Sequence, residues 1–348
     1  MRCVILYGGV SAEHDITLRS CHFILQKMNP SWDPLLVGIT KSGDWYLQDF
    51  QEKQKELVDG DQLSISTKTP TNPQEVFLSP ENLVVWPMLH GPYGEDGKIQ
   101  GLLESYKVAY VGSDVLGSSL AMHKPLAKIV AQAVGASVGP FHYFKKSVWV
   151  NDKRGCLGSL ENMTLPLYVK PVAMGSSIGI SRVDKFEDLE EAIKIAFLYD
   201  SECIIEEEII GREIEVAVLG GEKHIVSEPG EILKENAFYD YKEKYSQTSK
   251  AKTEIPAKLE PSTTNQLKQM ALQIFQSLNL YGLSRMDFFV TKDQKIYFNE
   301  ANTMPGFTSI SLYPRLMEHV GLAPSKLIDE LLKLAIKRNE TTKNHLVD

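Results

Sequence analysis

The chain opens on an unbroken apolar run, Cys3-Val4-Ile5-Leu6-Tyr7, that stops at Gly8-Gly9. A short run without polar alternation predicts a strand buried on both faces, as in the middle of a parallel sheet. Ser11-Ala12-Glu13 then opens a helical period that lasts to about Lys27. Similar apolar runs at residues 35–39 and 83–88 predict parallel partners for the first strand, and so an open α/β sheet. In such sheets ligands collect beyond the carboxyl ends of the strands. Glu13 and His90 each follow one of those ends. Residues 42–80 are polar, are broken by Asp59-Gly60 and Thr69-Pro70, and hold no period for long. They predict a variable insertion with room for one short hairpin and no chemistry of its own.

Over residues 121–134 a helical pattern passes Lys124 and ends near Gly135, which predicts the start of a second domain. A β-rich stretch at 165–171 leads into Gly175-Ser176-Ser177-Ile178-Gly179, and a strand at 180–183 and a helix at 186–198 follow. That order predicts a hairpin-like glycine loop. Strands are predicted at 203–207, which ends in acids, and at 213–219, with an amphipathic helix at 262–278. Two consecutive strand patterns, 283–291 and 295–299, are joined by the turn Lys292-Asp293-Gln294. A last helix at 325–337 gives way to a polar tail that should fray.

A length of 348 residues exceeds one ordinary core and predicts two or three lobes. With 43% hydrophobic and 24% charged residues the composition is that of a folded globular chain. The net charge of -8 and the scatter of Lys and Arg argue against a nucleic-acid surface. The first apolar run is too short for a membrane span or a signal segment, and none elsewhere approaches 18 residues, so a cytoplasmic protein without membrane insertion is expected. The cysteines Cys3, Cys21, Cys156 and Cys203 lie far apart without metal-ligand spacing and read as buried reduced thiols.

Four groups of residues suggest chemistry. Arg285-Met286-Asp287 lies on one of the two final strands and Asn299-Glu300-Ala301-Asn302 ends the other, so antiparallel pairing would gather Asp287, Glu300 and Asn302. These are hard oxygen donors of the kind Mg²⁺ takes alongside water and nucleotide phosphates, and Arg285 offers a donor fork to phosphoryl oxygens. A surface hairpin with ordinary ion pairs is the alternative. Lys170 ahead of the glycine loop offers a point charge and closely approaching backbone amides to an anion, although the loop is no Walker motif and a plain tight hairpin would look the same. Glu206-Glu207-Glu208 and Glu213 provide acceptors for an amine and for hydroxyls, or a solvated charge run. The segment from Phe238 to Tyr245 mixes aromatic and charged residues as a mobile lid or a packed surface loop would.

Taken in order, Gly8-Gly9-Val10-Ser11-Ala12-Glu13, His90-Gly91, Gly94-Glu95-Asp96-Gly97, Lys170-Pro171, Gly175-Ser176-Ser177, Tyr239-Asp240-Tyr241, Lys244-Tyr245, Arg285-Met286-Asp287, Glu300-Ala301-Asn302 and Pro305-Gly306 resemble the D-alanine:D-alanine ligases of the ATP-grasp superfamily. The resemblance runs from about residue 4 to 315. It implies an α/β and α+β chain, with an N-terminal open parallel-sheet domain (1–120) followed by a two-lobed ATP-grasp fold: a central subdomain (121–206) and a C-terminal catalytic subdomain (207–348).

The resemblance also implies a reaction. ATP phosphorylates one D-alanine carboxylate, and the amine of a second D-alanine displaces phosphate to give D-alanyl-D-alanine for peptidoglycan precursor synthesis. Two Mg²⁺ (or Mn²⁺) ions would be held by Asp287, Glu300 and Asn302, with room for a monovalent cation. Lys124 and Lys170 match the phosphate-binding lysines, Glu206 the adenine acid and Glu213 the ribose acid. Glu13 matches the acid that holds the first substrate's ammonium, and His90 its neighbour. Arg285 and the Gly306 amide would stabilise the oxyanion. Ser176, Tyr245 and Glu13 match a bonded set linking lid, loop and substrate, while Lys244 and Ser311 match groups near the second substrate and the transferred phosphate. The Lys244-Tyr245 pair points to the dipeptide over the D-lactate ester. Met174 departs from the family pattern, where a Glu often precedes Gly-Ser-Ser. A homodimer is a family expectation. A different ATP-grasp ligase shares only the nucleotide machinery, and a dinucleotide oxidoreductase lacks its G-x-G-x-x-G motif here.

Overall fold

The computed structural model describes residues 1–233 and 252–344. The first apolar run forms Arg2–Gly8 (β1), and its side chains are buried on both faces because it lies inside a sheet. Asp33–Ile39 (β2) pairs with it in parallel on one side. Trp45–Gln48 (β3) and Thr69–Thr71 (β4) extend that edge antiparallel. Leu83–Met88 (β5) pairs in parallel on the other side of β1, followed by Ala109–Tyr110 (β6). The order β4-β3-β2-β1-β5-β6 makes β1 the point where the chain's winding reverses, and the crevice above its carboxyl end is where Glu13 and His90 emerge. Gly8 turns there at φ +90°, and a Cβ on it would lie 2.2 Å from the Ile39 carbonyl oxygen, so only glycine fits.

The second sheet is antiparallel: Phe141–Lys145 (β7), Leu167–Pro171 (β8), Ser181–Val183 (β9) and Glu202–Glu207 (β10), in the order β7-β10-β8-β9. The glycine loop joins β8 to β9 as the hairpin expected, with Ser176 and Ser177 both in left-handed backbone conformations. The third sheet contains Arg212–Gly220 (β11), His224–Val226 (β12), Gly230–Leu233 (β13), Lys252–Glu254 (β14), Gly282–Val290 (β15) and Ile296–Asn302 (β16). Its path is β14-β13-β11-β15-β16, and β15 and β16 are antiparallel neighbours as their sequence predicts.

Three expectations change. The insertion at 42–80 carries a helix, Phe50–Asp59, besides its strands; only Lys53 of it is fully buried and only Phe50 and Leu57 lean on the core, so little apolar pattern marks it in the sequence. The pattern at 121–134 belongs to two helices, Val115–Met122 and Lys124–Ala133, and the second packs Ala127 and Ala131 with Ile214 and Phe288 of the third sheet and Phe275 of the helix Pro261–Ser277. The tail does not fray at 337: its helix runs Pro324–Asn344. That helix buries Leu327, Ile328, Leu331 and Leu332 in one core with Cys3, Ile5 and Trp86 of the first sheet. Arg338 seals the junction by stacking on Tyr110 and Tyr281, 4.2 and 5.1 Å from their ring centres, and by donating to the Tyr110 carbonyl at 2.9 Å. Among the described residues no helix is long and apolar enough to cross a membrane.

Candidate active site

The loops at the end of β1, after β5, between β8 and β9, and after β16 converge on one cleft. Its inner recess is lined by Glu13, His90, Glu95, Lys124, Ser176, Arg285, Glu300, Asn302 and Gly306. The recess opens into a cavity of about 770 Å³ between the second and third sheets, within the range of small-molecule sites. Lys170, Glu206, Glu213 and Asp287 line that larger cavity, and Lys124, Ser176, Arg285 and Glu300 border both.

Glu13, only 6% exposed, accepts a hydrogen bond from the Ser176 hydroxyl, which joins the first sheet's turn to the glycine loop. Gly91 and Gly175 press on this carboxylate: a Cβ on either would lie 2.3 and 2.8 Å from Glu13 Oε2. His90 is buried. Its Nδ1 lies 2.8 Å from the Met304 carbonyl oxygen, which can only accept, so Nδ1 carries the proton and Nε2 accepts from Ser20 Oγ at 3.1 Å. Burial pushes the ring's pKa down to about 4, and the Met304 carbonyl opposes the shift.

Three lysines, each paired with an acid, line the larger cavity. Lys124 Nζ donates to the Met174 carbonyl oxygen at 2.6 Å and lies 3.5 Å from Glu300 Oε2. The lysine therefore uses the backbone of residue 174, and the methionine side chain that departs from the family pattern leaves this contact untouched. Lys128 and Lys170 each lie 2.7 Å from one oxygen of Glu206. Burial would raise the Glu206 carboxyl, but the two ammonium groups hold it at about 2. Burial opposes the charge on Lys170 too, and Glu206 keeps its pKa above the ordinary lysine value. At the more buried Lys128 burial prevails and the pKa falls, with Lys170 adding repulsion. The expected adenine acid and phosphate lysine are thus paired with each other in this state.

Cross-strand register puts Asp287 opposite Glu300 and Arg285 opposite Asn302. Arg285 donates to both oxygens of Asp287 at 2.7 Å and lies 2.9 Å from Glu215 Oε2, while Asn302 Nδ2 donates to Asp287 Oδ2 at 3.0 Å. Among the described residues no group of three or more His, Cys, Asp or Glu is placed to hold a metal by itself. Two carboxylates and one amide on adjacent strands do fit a hard divalent ion that takes its other ligands from phosphate and water. Ser311 stands just outside the recess. It hydrogen-bonds Thr308 and lies 3.0 Å from where a Cβ on Gly306 would be. Lys244 and Tyr245 lie outside the described residues.

Sequence reasoning missed Lys128, Glu215 and Glu95. Lys128 stands one helical turn after Lys124 on a helix whose only other polar residue is Gln132, and that spacing was its signal. Glu215 alternates into the cleft two residues after Glu213 on β11. Glu95 sat unassigned within a quoted motif. Its carboxylate accepts from the Gly91 and Met304 amides at 2.8 Å each. Burial, with Glu13 beside it, pushes its pKa up to about 8 against those donors and Arg285.

Residues 2–113 match the family model described as D-ala D-ala ligase N-terminus, and residues 130–333 match the D-ala D-ala ligase C-terminus. The chain belongs to the D-ala D-ala ligase family. A D-alanine–D-alanine ligase from Caldicellulosiruptor bescii is 41% identical, with 99% of this chain and 97% of that protein covered. Another from Natranaerobius thermophilus is 38% identical over 100% and 98%. Among solved structures, the D-alanine-D-alanine ligase of Coxiella burnetii superposes with a TM-score of 0.81 at 32% identity, covering 99% of this chain and 98% of that one. The VanG D-Ala:D-Ser ligase of Enterococcus faecalis superposes equally well, at 33% identity over 96% and 99%. The ATP-grasp fold class expected of this family is therefore the fold of this chain.

Proposed function

We propose that this D-ala D-ala ligase family member joins two D-alanines in the cleft just described, at the expense of ATP, forming a C–N bond in peptidoglycan precursor synthesis. The γ-phosphoryl group passes to the carboxylate of the first D-alanine, giving D-alanyl phosphate and ADP. The amine of the second attacks the acyl carbon, loses a proton, and expels inorganic phosphate. The convergence of Glu13, Ser176, Arg285, Glu300 and Gly306 from separate chain segments on one recess beside a cavity that contains Lys124, Lys128 and Lys170 carries this reading.

Glu13, aligned by Ser176, holds the first ammonium group beside His90. Lys124 and Lys170 take the phosphates, which requires Lys170 to leave Glu206, and Glu206 and Glu213 then face the adenine amine and the ribose. Arg285 leaves Asp287 for the transferring phosphoryl group and, with the Gly306 amide, stabilises the oxyanion; one such donor contributes roughly 3–4 kcal/mol in well-studied enzymes. Asp287, Glu300 and Asn302 hold two Mg²⁺ or Mn²⁺ ions, whose chemistry is to neutralise phosphate charge. Ser311, with Lys244, receives the second carboxylate, and Tyr245 closes the bonded set with Ser176 and Glu13; the roles of Lys244 and Tyr245 rest on sequence alone. Division at 1–120, 121–206 and 207–348, a homodimer, a monovalent-cation requirement and a cytoplasmic location complete the proposal. The test is phosphate release from Mg²⁺-ATP with D-alanine, compared with L-alanine and with D-alanine plus D-serine or D-lactate, and the mass of the product. A D-alanyl-D-alanine mass supports the reading; ATP binding without D-alanine-stimulated phosphate release overturns its substrate half.

A further inference from the structure

The stretch after β16, residues 303–307, has no regular secondary structure, so its backbone groups must find partners outside a ladder or helix. They find them on the first lobe. The Met304 N–H donates to Glu95 Oε1 at 2.8 Å, across 209 residues of sequence, while the other oxygen of Glu95 accepts from the Gly91 N–H at 2.8 Å. The Met304 carbonyl accepts from His90 Nδ1 at 2.8 Å. Ser20 Oγ, which donates to His90 Nε2, also accepts from the Phe307 N–H at 3.3 Å. Gly306 lies inside the span fixed at both ends by these bonds, and it borders the recess with Glu13 and Arg285.

We propose that Glu95 is a positioning residue for the ligation: together with His90 it grips the Met304 peptide from both sides, and so sets where the Gly306 amide stands relative to Glu13 and Arg285. The proposal rests on the function proposed above. An acid is an expensive choice at this place. It is partly buried and poorly solvated, and Glu13 adds like charge nearby. What it supplies in return, when ionised, is two acceptors on one rigid group, which can tie two loops that each present an N–H. Glutamine has one acceptor, and its amide would turn a donor towards one of those N–H groups. Both oxygens of Glu95 are already taken by backbone, so its effect on substrate passes through the loop it holds.

The experiment is steady-state kinetics of the full chain with Mg²⁺-ATP and D-alanine, wild type against Glu95→Gln, with ADP binding measured by calorimetry. A loosened loop misplaces a group used as charge develops and leaves the nucleotide floor intact. The expected result is a fall in kcat of at least about tenfold, with the KM for ATP and the Kd for ADP changed less than about threefold. A wild-type kcat in Glu95→Gln overturns the proposal, and so does a loss carried equally by ADP binding, which would mean general damage to the cleft. If Glu95→Gln does not fold, Ser20→Ala removes only the hydroxyl at the far end of the same clamp. There a several-fold drop in kcat at constant ATP KM supports the proposal, and an unchanged kcat overturns it. A wild-type enzyme that makes no dipeptide would instead sink the proposed function before Glu95 is tested.

Discussion

Acidification should expose His90. Its ring titrates near 4 in the folded chain against 6.5 when free, because it is buried between Ser20 and Met304 with Arg285 nearby. Between those two values the unfolded chain takes up a proton that the folded chain refuses, so stability is fully present above pH 6.5 and drains away as pH falls toward about 4. The gap corresponds to roughly 3 kcal/mol in full, and to about 2 kcal/mol by pH 5. Glu95 acts with the opposite sign: a carboxyl raised to about 8 makes the folded chain the better proton acceptor down to 4.5. The bare pH slope of the wild type therefore mixes two terms, and the informative quantity is the difference from His90→Gln, whose amide supplies the same donor and acceptor. Denaturant unfolding at pH 7.5 and pH 5.0 measures it. The variant should lose about 2 kcal/mol less than the wild type on acidification. A difference below about 0.5 kcal/mol would refute the claim that His90 is held neutral by the fold.

Other outcomes follow from particular contacts. Gly8→Ala should destabilise the chain by more than about 3 kcal/mol or prevent folding, since the new Cβ meets the Ile39 carbonyl, whereas Gly135→Ala, also at positive φ but facing open space, should lose only about 1 kcal/mol; paired melting curves test the contrast. Lys128→Met leaves Glu206 with one cation and should weaken stability by roughly 3 kcal/mol while raising the KM for ATP, and an unchanged KM would separate Lys128 from the nucleotide cavity. All four cysteines are buried, and burial raises the thiols of Cys3, Cys21 and Cys203, so a thiol reagent should find none in the native protein and four after denaturation.

Much of the cleft was legible because its residues stand at strand ends, where apolar runs stop abruptly. Glu13 and His90 follow β1 and β5, and the pairing of Asp287 with Glu300 follows from two short alternating strands joined by a tight turn. What stayed hidden did so for physical reasons. The helix Phe50–Asp59 sets only Phe50 and Leu57 on the core, a stripe too short to stand out from its polar surroundings. Strand β7 is half exposed along its length. Lys128, buried, and Glu95, partly buried, carry side chains whose ordinary place is in water, and only tertiary contacts from distant segments explain their removal from it. Which ammonium a carboxylate faces is decided by the assembled fold, and neighbouring letters carry no record of it.

The packing of the helix Pro324–Asn344 against β1 and β5 bears on how the polypeptide is made. A ribosome releases this sheet well before the helix, so Cys3, Ile5 and Trp86 meet Leu327, Leu331 and Leu332 only when residues 324–344 have emerged. Until residues 324–344 emerge, one flank of the first sheet stays greasy and uncovered, a natural foothold for chaperones and for aggregation. A nascent chain cut before residue 324 would present that flank permanently, and quality control could recognise a truncated product by it.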